Sequence, residues 1–276
     1  MKIVHLYQQN EGWGGEPCVM ALGYFDGVHL GHQEVIQKAK QIAKTKQQKC
    51  AVMTFDPHPK EVIRKQKVHY LMPLMDKARK LQDLGVDILY VVHFSLQVAA
   101  VPPEDFVENY LVRLNVSHVV AGFDFTYGAK GKGSMSTLKK HARGRFGVTT
   151  VLPVTECGEK ISSTRIRNTL KAGCVEEMPD LLGHYYEVKG EIIEREGFFP
   201  NEASAAVYGR YTLPHAGVYE VSIYIEGKKY SAWCTVHPFM EHAVSLFVSK
   251  CYELHEGSAV AIQFLRQAYV HAEAAM

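Results

Sequence analysis

Five short apolar, β-rich runs alternate with helix-patterned stretches up to about residue 172, and this alternation restricts the fold more than any other feature. The runs are Val19 to Tyr24, Cys50 to Phe55, Ile88 to Phe94, His118 to Phe123 and Thr149 to Val154. Between them the spacing predicts helices over Gly31 to Thr45, Asp76 to Leu84, Glu104 to Leu114 and Met135 to Arg145, with another over Ser163 to Ala172. Strands separated by helices are the signature of βαβ units, so the first part of the chain is expected to be α/β with a parallel sheet. Sheets of this kind bind ligands beyond the carboxyl ends of their strands, which directs attention to the loops that follow each run.

From about Tyr185 the texture changes. Segments such as YEVKGEIIE, GVYEVSIYI and KKYSAWCTV follow one another with turn signals between them. The last two flank Glu226 and Gly227 and read as a hairpin. A mostly antiparallel barrel or sandwich, ending in one helical or strand segment, is expected there. Two domains, 1–183 and 184–276, fit a chain of 276 residues.

Composition narrows the function classes. Hydrophobic content of 47% with 22% charged residues is ordinary for a soluble protein, and no run of about 18 apolar residues suggests a membrane span. The start, MKIVHLYQQNEGWGG, lacks the apolar core of a secretory signal, so a cytoplasmic location without a membrane partner is expected. Six cysteines without a CxxC pair argue against structural zinc and against a disulfide framework. A net charge of +2 is too small to make nucleic acid the main partner. The basic stretch Lys38 to Lys67 reads as amphipathic helix with solvated lysines; Lys130 to Arg145 is the other. Nothing in the sequence fixes an oligomeric state.

The first run passes straight into GYFDGVHLGHQ, Gly23 to Gln33. The positions of Val35, Ile36, Ala39, Ile42 and Ala43 are helical, so His29 and His32 fall at a helix entrance. Unpaired backbone N–H groups and the positive end of the helix dipole favour phosphate there. Gly23, Gly27 and Gly31 would let the backbone turn and approach a ligand, while the two imidazoles supply donors. Neither GxxxxGK[ST] nor GxGxxG is present, so this is not a Walker loop or a dinucleotide fingerprint.

Three further segments leave other expected strand ends. TFDPHPKEV holds His58 between two prolines on a stiff loop not expected to continue as a helix. AGFDFTYGAKGKGS carries Asp124, with Phe125 and Tyr127 available to stack on a planar ring and Lys130 or Lys132 to meet phosphate. KISSTRIRNTLKAG places Ser163 or Thr164 at a helix N-cap, with Arg165 and Arg167 beside it as a second phosphate clamp.

GYFDGVHLGHQ, TFDPHP, GFDFTYG and ISSTRIR, in that order over residues 22 to 173, resemble the adenylyltransferase module of the bacterial FAD synthetases. His29-Leu30-Gly31-His32 is the HxGH motif of the larger nucleotidyltransferase group. The resemblance implies a Rossmann-like nucleotidyltransferase domain that transfers AMP from ATP to FMN, with Mg²⁺, giving FAD and pyrophosphate. It implies that His29, His32 and Arg167 are catalytic. ATP would be held by Gly23, Tyr24, Phe25, Asp26, Gly27, Gly31 and His32, with Lys160, Ser163, Thr164 and Arg167 toward the pyrophosphate. Phe55, His58, Asp124, Phe125 and Tyr127 would meet the flavin, and Asp124 and His58 would help place FMN or Mg²⁺. No metal ligand is assigned.

In that family the second module is a riboflavin kinase, a six-stranded barrel, and LLGHYYEVKGEI resembles the passage into it. The kinase's G-F-P-T-A-N motif corresponds here to Gly197-Phe198-Phe199-Pro200-Asn201-Glu202-Ala203, without Thr-Ala-Asn. The strand that carries the kinase's catalytic glutamate aligns with HAVSLFV, placing Ala243 at the base position, with Glu241 two residues earlier on the same face. The barrel is therefore expected to fold without kinase activity, since sites are lost more readily than folds. The competing readings are a bifunctional riboflavin kinase/FAD synthetase and a non-catalytic flavin-binding regulatory protein.

Overall fold

Every residue of Cys18–Leu22 is buried, as a strand must be when neighbours flank both edges and helices cover both faces. The computed structural model describes residues 1–7, 14–194, 202–240, 242–248 and 255–268. These divide into two compact units, one of residues 1–68 and 74–160, the other of 69–73 and 161–276.

The first unit follows the alternation of the apolar runs. Its elements are β1 (Lys2–Leu6), β2 (Cys18–Leu22), α1 (Leu30–Lys46), β3 (Lys49–Asp56), α2 (Pro59–Arg64), α3 (Leu74–Asp83), β4 (Ile88–His93), β5 (Val116–Gly122), α4 (Met135–Ala142) and β6 (Gly147–Val151). The six strands form one sheet in the order β1-β4-β3-β2-β5-β6, with every pairing parallel. The chain steps outward from β2 through β3 to β4, then returns to place β5 on the other side of β2. Such a reversal opens a crevice beyond the carboxyl ends of β2 and β5. GYFDGVHLGHQ leaves β2 there, and GFDFTYG leaves β5.

Packing follows the 3.6-residue period. Val35, Ile36, Ala39 and Ala43 of α1 are buried, while Ile42, expected in the same stripe, is half-buried. Lys44 and Lys46 lie in the last turn of α1, where cations suit the helix dipole. One core collects residues from β2, β3, β4 and β5 with Phe106, Tyr110, Tyr127 and Leu138. The helix expected over Glu104 to Leu114 forms as a short α-helical turn, Pro103–Phe106, that runs into a π-helical one, Val107–Val112, and two other elements differ from expectation. The edge strand β1 escapes an apolar-run criterion because Lys2 and His5 face outward. The expected stiff loop after His58 instead begins α2: Pro59 occupies the first helical turn, where its missing N–H costs nothing.

The second unit opens with α5 (Ser163–Ala172) and two short helical segments, Val175–Glu177 and Met178–Leu182. Six strands follow, β7 (Tyr186–Glu194), β8 (Glu202–Val207), β9 (Gly217–Ile225), β10 (Lys228–Val236), β11 (Ala243–Val248) and β12 (Ala259–Gln267). They close into a barrel in the order β7-β8-β11-β10-β9-β12, all antiparallel. The β9–β10 hairpin turns at Glu226 (φ 51) and Gly227 (φ 79), the two positive φ angles that a tight hairpin with right-handed strand twist demands. Inside, Tyr186 and Tyr219 are fully buried. Their hydroxyls donate to the carbonyls of Thr212 at 2.7 Å and His215 at 2.6 Å, which removes the cost of burying them. Tyr70, from the 69–73 segment, bridges in parallel to Tyr211.

Residues 197–201 of the altered kinase motif, and Glu241, lie outside the described residues. Of the motif's remainder, Ala203 is buried in β8; Ala243 opens β11 opposite Ala206.

Candidate functional site

The chain leaves β2 through a turn with three left-handed residues, Phe25 (φ 55), Gly27 (φ 79) and Val28 (φ 41). Gly27 meets this demand at no steric cost. Gly23 is required for a different reason, since a Cβ there would lie 2.9 Å from the ring of Phe25 folded over it. Gly31 is in the first turn of α1. The buried Asp26 opens the short 3₁₀ turn Asp26–Val28, and Gln33 ties the turn to the helix by donating to the Val28 carbonyl at 2.9 Å.

His29 is the N-cap of α1. Its Nδ1 accepts the backbone N–H of His32 at 3.2 Å. A nitrogen that accepts carries no proton, so the neutral ring is protonated on Nε2 and presents that N–H as a donor. The imidazole of His32 stacks on that of His29, with centroids 3.5 Å apart and planes 17° apart, and meets the Phe25 ring edge-on at 5.2 Å. The Nδ1 of His32 is buried without a hydrogen-bond partner, a polar atom whose burial calls for a ligand or a water.

Both imidazoles are held neutral. Burial lowers the pKa of His29 to about 4, with Lys160 adding to the effect and Asp26 and Asp124 opposing it. His32 is driven well below the ordinary value by burial, then by His29, Lys77 and Lys160. Two stacked rings cannot share two positive charges cheaply in a buried place. The pair therefore offers neutral donors beside a helix N-terminus rather than a fixed dication.

Lys160 and Asp124 act electrostatically on His29, and the other residues expected from the sequence have partners of their own. Lys160 Nζ forms an ion pair with Asp124 Oδ2 and lies 4.6 Å from the centre of the Phe123 ring. The Tyr24 ring meets His58 edge-on at 4.4 Å, and His58 caps α2 by accepting the Lys60 N–H at 3.0 Å. Phe55 packs at right angles to Phe94. Phe125 and Tyr127 stack with centroids 6.1 Å apart, yet their surroundings differ. Tyr127 belongs to the core, and its hydroxyl is hydrogen-bonded to His141 at 2.8 Å. Its ring faces are taken up by protein, whereas Phe125 is only partly buried.

Ser163, Thr164 and Arg167 lie together at the start of α5 in the second unit. The expected cap is displaced by one residue: Ser162 accepts the Arg165 N–H at 3.2 Å and is the N-cap. Ser163 and Thr164 therefore occupy the first turn. Arg167 donates to the carbonyls of Ser163 at 3.4 Å and His69 at 3.1 Å.

Lys77 was not singled out by the sequence. It is 2% exposed, donates to the Tyr24 carbonyl at 2.9 Å and Thr54 Oγ1 at 3.3 Å, and lies over the Tyr24 ring at 4.3 Å. Burial lowers its pKa to about 8 against the pull of Asp26 and Asp56, so it stays mostly charged at neutral pH.

The FAD synthetase family model matches residues 13–165, a span that takes in both histidines, Asp124, Lys160, Ser163 and Thr164. The chain belongs to the FAD synthetase family. It is 48% identical over 246 residues to a bifunctional riboflavin kinase/FMN adenylyltransferase of Listeria monocytogenes, covering 86% of this chain and 78% of that one. The corresponding Bacillus subtilis protein is 45% identical over 245 residues, covering 86% and 77%. An FAD synthetase of Listeria monocytogenes is 36% identical over 208 residues, covering 74% and 80%. A crystal structure described as a macrolide-efflux protein from Streptococcus pneumoniae superposes with a TM-score of 0.87 at 30% identity, covering 97% of this chain and 91% of that one. Among the described residues of this family member, no helix is long and apolar enough to cross a membrane. The five described cysteines are free: Cys18, Cys50 and Cys234 are buried, Cys174 is half-buried and Cys157 is exposed.

Proposed function

We propose that the chain transfers the AMP moiety of ATP to FMN, forming FAD and pyrophosphate, and that it lacks riboflavin kinase activity. The observation that carries the transferase reading is the stacked, neutral His29–His32 pair at the entrance of α1, placed where the sheet order reverses. Membership of the FAD synthetase family supplies the substrate class.

In this reaction an oxygen of the FMN phosphate forms a bond to the α-phosphorus of ATP. The bond from that phosphorus to the bridging oxygen breaks, and its electron pair leaves on pyrophosphate. The attacking monoester is already anionic near neutral pH, so the chain need not supply a general base. Its contribution is to position two polyanions and to meet charge as it moves toward the leaving group. On this reading His29 and His32 donate to ATP phosphates, and Gly23, Tyr24, Phe25, Asp26, Gly27 and Gly31 form the turn that brings backbone close to the nucleotide. Lys160, Ser163, Thr164 and Arg167 receive the pyrophosphate end. Phe55, His58, Asp124 and Phe125 face the flavin side, with Tyr127 supporting Phe125 from behind. Mg²⁺ enters as part of the substrate MgATP. Among the described residues no three His, Cys, Asp or Glu side chains converge on a metal position.

A bifunctional enzyme is the second reading, favoured by the names of the 48% and 45% identical relatives and by the closed barrel. One experiment separates the possibilities: incubation with MgATP and, in parallel, riboflavin, FMN or other phosphorylated acceptors, followed by chromatography of the products. FAD from FMN with riboflavin unconsumed is the expected result. FMN from riboflavin would establish the bifunctional enzyme, and flavin retained without turnover would establish a regulatory binding protein.

A further inference from the structure

The Phe25–Val28 turn is held in an unfavourable form. Left-handed backbone at Phe25 and at the β-branched Val28 is costly for side-chain-bearing residues and persists only where the surroundings enforce it. The enforcement comes at both ends. At the far end Gln33 holds the Val28 carbonyl. At the near end the Tyr24 carbonyl, the last before the left-handed run, accepts from Thr54 Oγ1 at 2.8 Å and Lys77 Nζ at 2.9 Å. Lys77 reaches Thr54 Oγ1 as well, closing a triangle of three groups on β3, α3 and the turn. Thr54 and Lys77 are both buried. No ligand could touch that ammonium without displacing the turn itself.

We infer that Lys77 is a positioning residue for adenylyl transfer: its buried ammonium fixes the Tyr24 carbonyl and so holds the strained turn in the form that stacks His29 on His32 at the entrance of α1. A lysine retained only for stability would be an odd choice, since taking its charge out of water costs more than packing an apolar chain of the same length. The carboxylates of Asp26 and Asp56 favour the charged form, and Asp26 belongs to the turn that the lysine holds. Removing the ammonium takes one donor from that carbonyl and frees the turn to relax toward right-handed backbone. His29 then moves by a fraction of an ångström to an ångström, a displacement that costs about tenfold to a hundredfold in rate at a reacting centre.

The inference rests on the proposed reaction, so the wild-type chain is assayed beside the variants. Full-length Lys77→Met, Lys77→Arg and Thr54→Val proteins are compared for kcat, KM for FMN, KM for ATP and thermal melting. Lys77→Met is expected to melt within a few degrees of wild type while kcat falls about tenfold to a hundredfold and KM for FMN changes less than about threefold. Lys77→Arg is expected to recover part of that loss. Thr54→Val, which removes the other donor to the same carbonyl, is expected to lower kcat less, and the double variant to fall short of the product of the two effects. A Lys77→Met protein with kcat within threefold of wild type overturns the inference. Should that variant not fold, a Thr54→Val protein with unchanged kcat overturns it equally. A wild-type chain that forms no FAD would instead remove the reaction on which the inference stands.

Discussion

Replacing His29 with asparagine should flatten the acid side of the protein's stability profile. In the folded chain His29 titrates at about 4, against 6.5 for an unperturbed histidine. Between those values the unfolded chain binds a proton that the folded chain refuses. Unfolding therefore takes up protons, and stability falls as pH falls through that window by about 1.4 kcal/mol per pH unit. The loss is absent above pH ~6.5 and reaches about 3 kcal/mol near pH 4, below which it saturates. Because His29 is only 6% exposed, solvent screening takes little from this figure. Asparagine retains a side-chain oxygen able to accept the His32 N–H as N-cap, and it does not titrate. It also removes the neighbour that helps depress His32, which acts in the same direction. Calorimetric melting of the full chain from pH 7 to pH 4.5 reads the effect. Over that interval wild type should lose about 5–10 °C more than the variant, the size expected for ~2.5 kcal/mol in a unit of 150–250 residues. Parallel melting curves would show that His29 is an ordinary solvated histidine, and the argument from a neutral, stacked pair would fail.

His32→Ala should lower kcat for FAD formation by about a hundredfold or more, with little change in melting, because its side chain caps nothing and the proposed reaction uses it as a donor to an ATP phosphate; steady-state kinetics with melting as a control reads both. Lys160→Met should raise the His29 pKa, since Lys160 is its second-largest depressing influence after burial, and raise KM for ATP; an NMR titration of the imidazole protons checks the first and kinetics the second. Alkylation followed by peptide mass spectrometry should label Cys157 first. Cys18 and Cys50, whose thiols burial pushes up to about 11 and about 12, should label only after unfolding.

Periodicity made the α/β half legible because burial on both sheet faces leaves little freedom in residue type. The helix expected over Gly31 to Thr45 forms as Leu30–Lys46, one residue longer at each end. What periodicity could not show were features decided by one hydrogen bond. Ser162 rather than Ser163 caps α5 because its side chain reaches the Arg165 N–H. Three hydroxyls in a row leave that choice to backbone geometry. Tyr127 and Phe125 stand two residues apart and their rings stack, but only Tyr127 is fully buried in the core, with its hydroxyl bonded to His141, a difference of depth that residue type and spacing do not encode.

Lys77 illustrates a different blind spot. In LMDKARKLQD it stands four residues before the buried Leu81, so helical spacing already placed it on the inward face. A pattern search that scores only apolar positions passes over such a lysine. Its partners, a carbonyl 53 residues earlier and a hydroxyl 23 residues earlier, become visible only in three dimensions. The kinase motif is the reverse case, since the absence of Thr-Ala-Asn between Pro200 and Ala203 is plain in the sequence.

The proposed function stands on one step, in which the chain breaks ATP at the α-phosphorus and delivers AMP to FMN. Incubation of the purified chain with FMN, Mg²⁺ and ATP labelled in turn at the α- and γ-phosphates, with separation of flavins and phosphates, tests it directly. The expected result is α-label in FAD and γ-label in pyrophosphate, in equal amounts, with both lost in the His32→Ala chain. Unlabelled flavin from a folded chain, or γ-label in orthophosphate with ADP as the co-product, would contradict it.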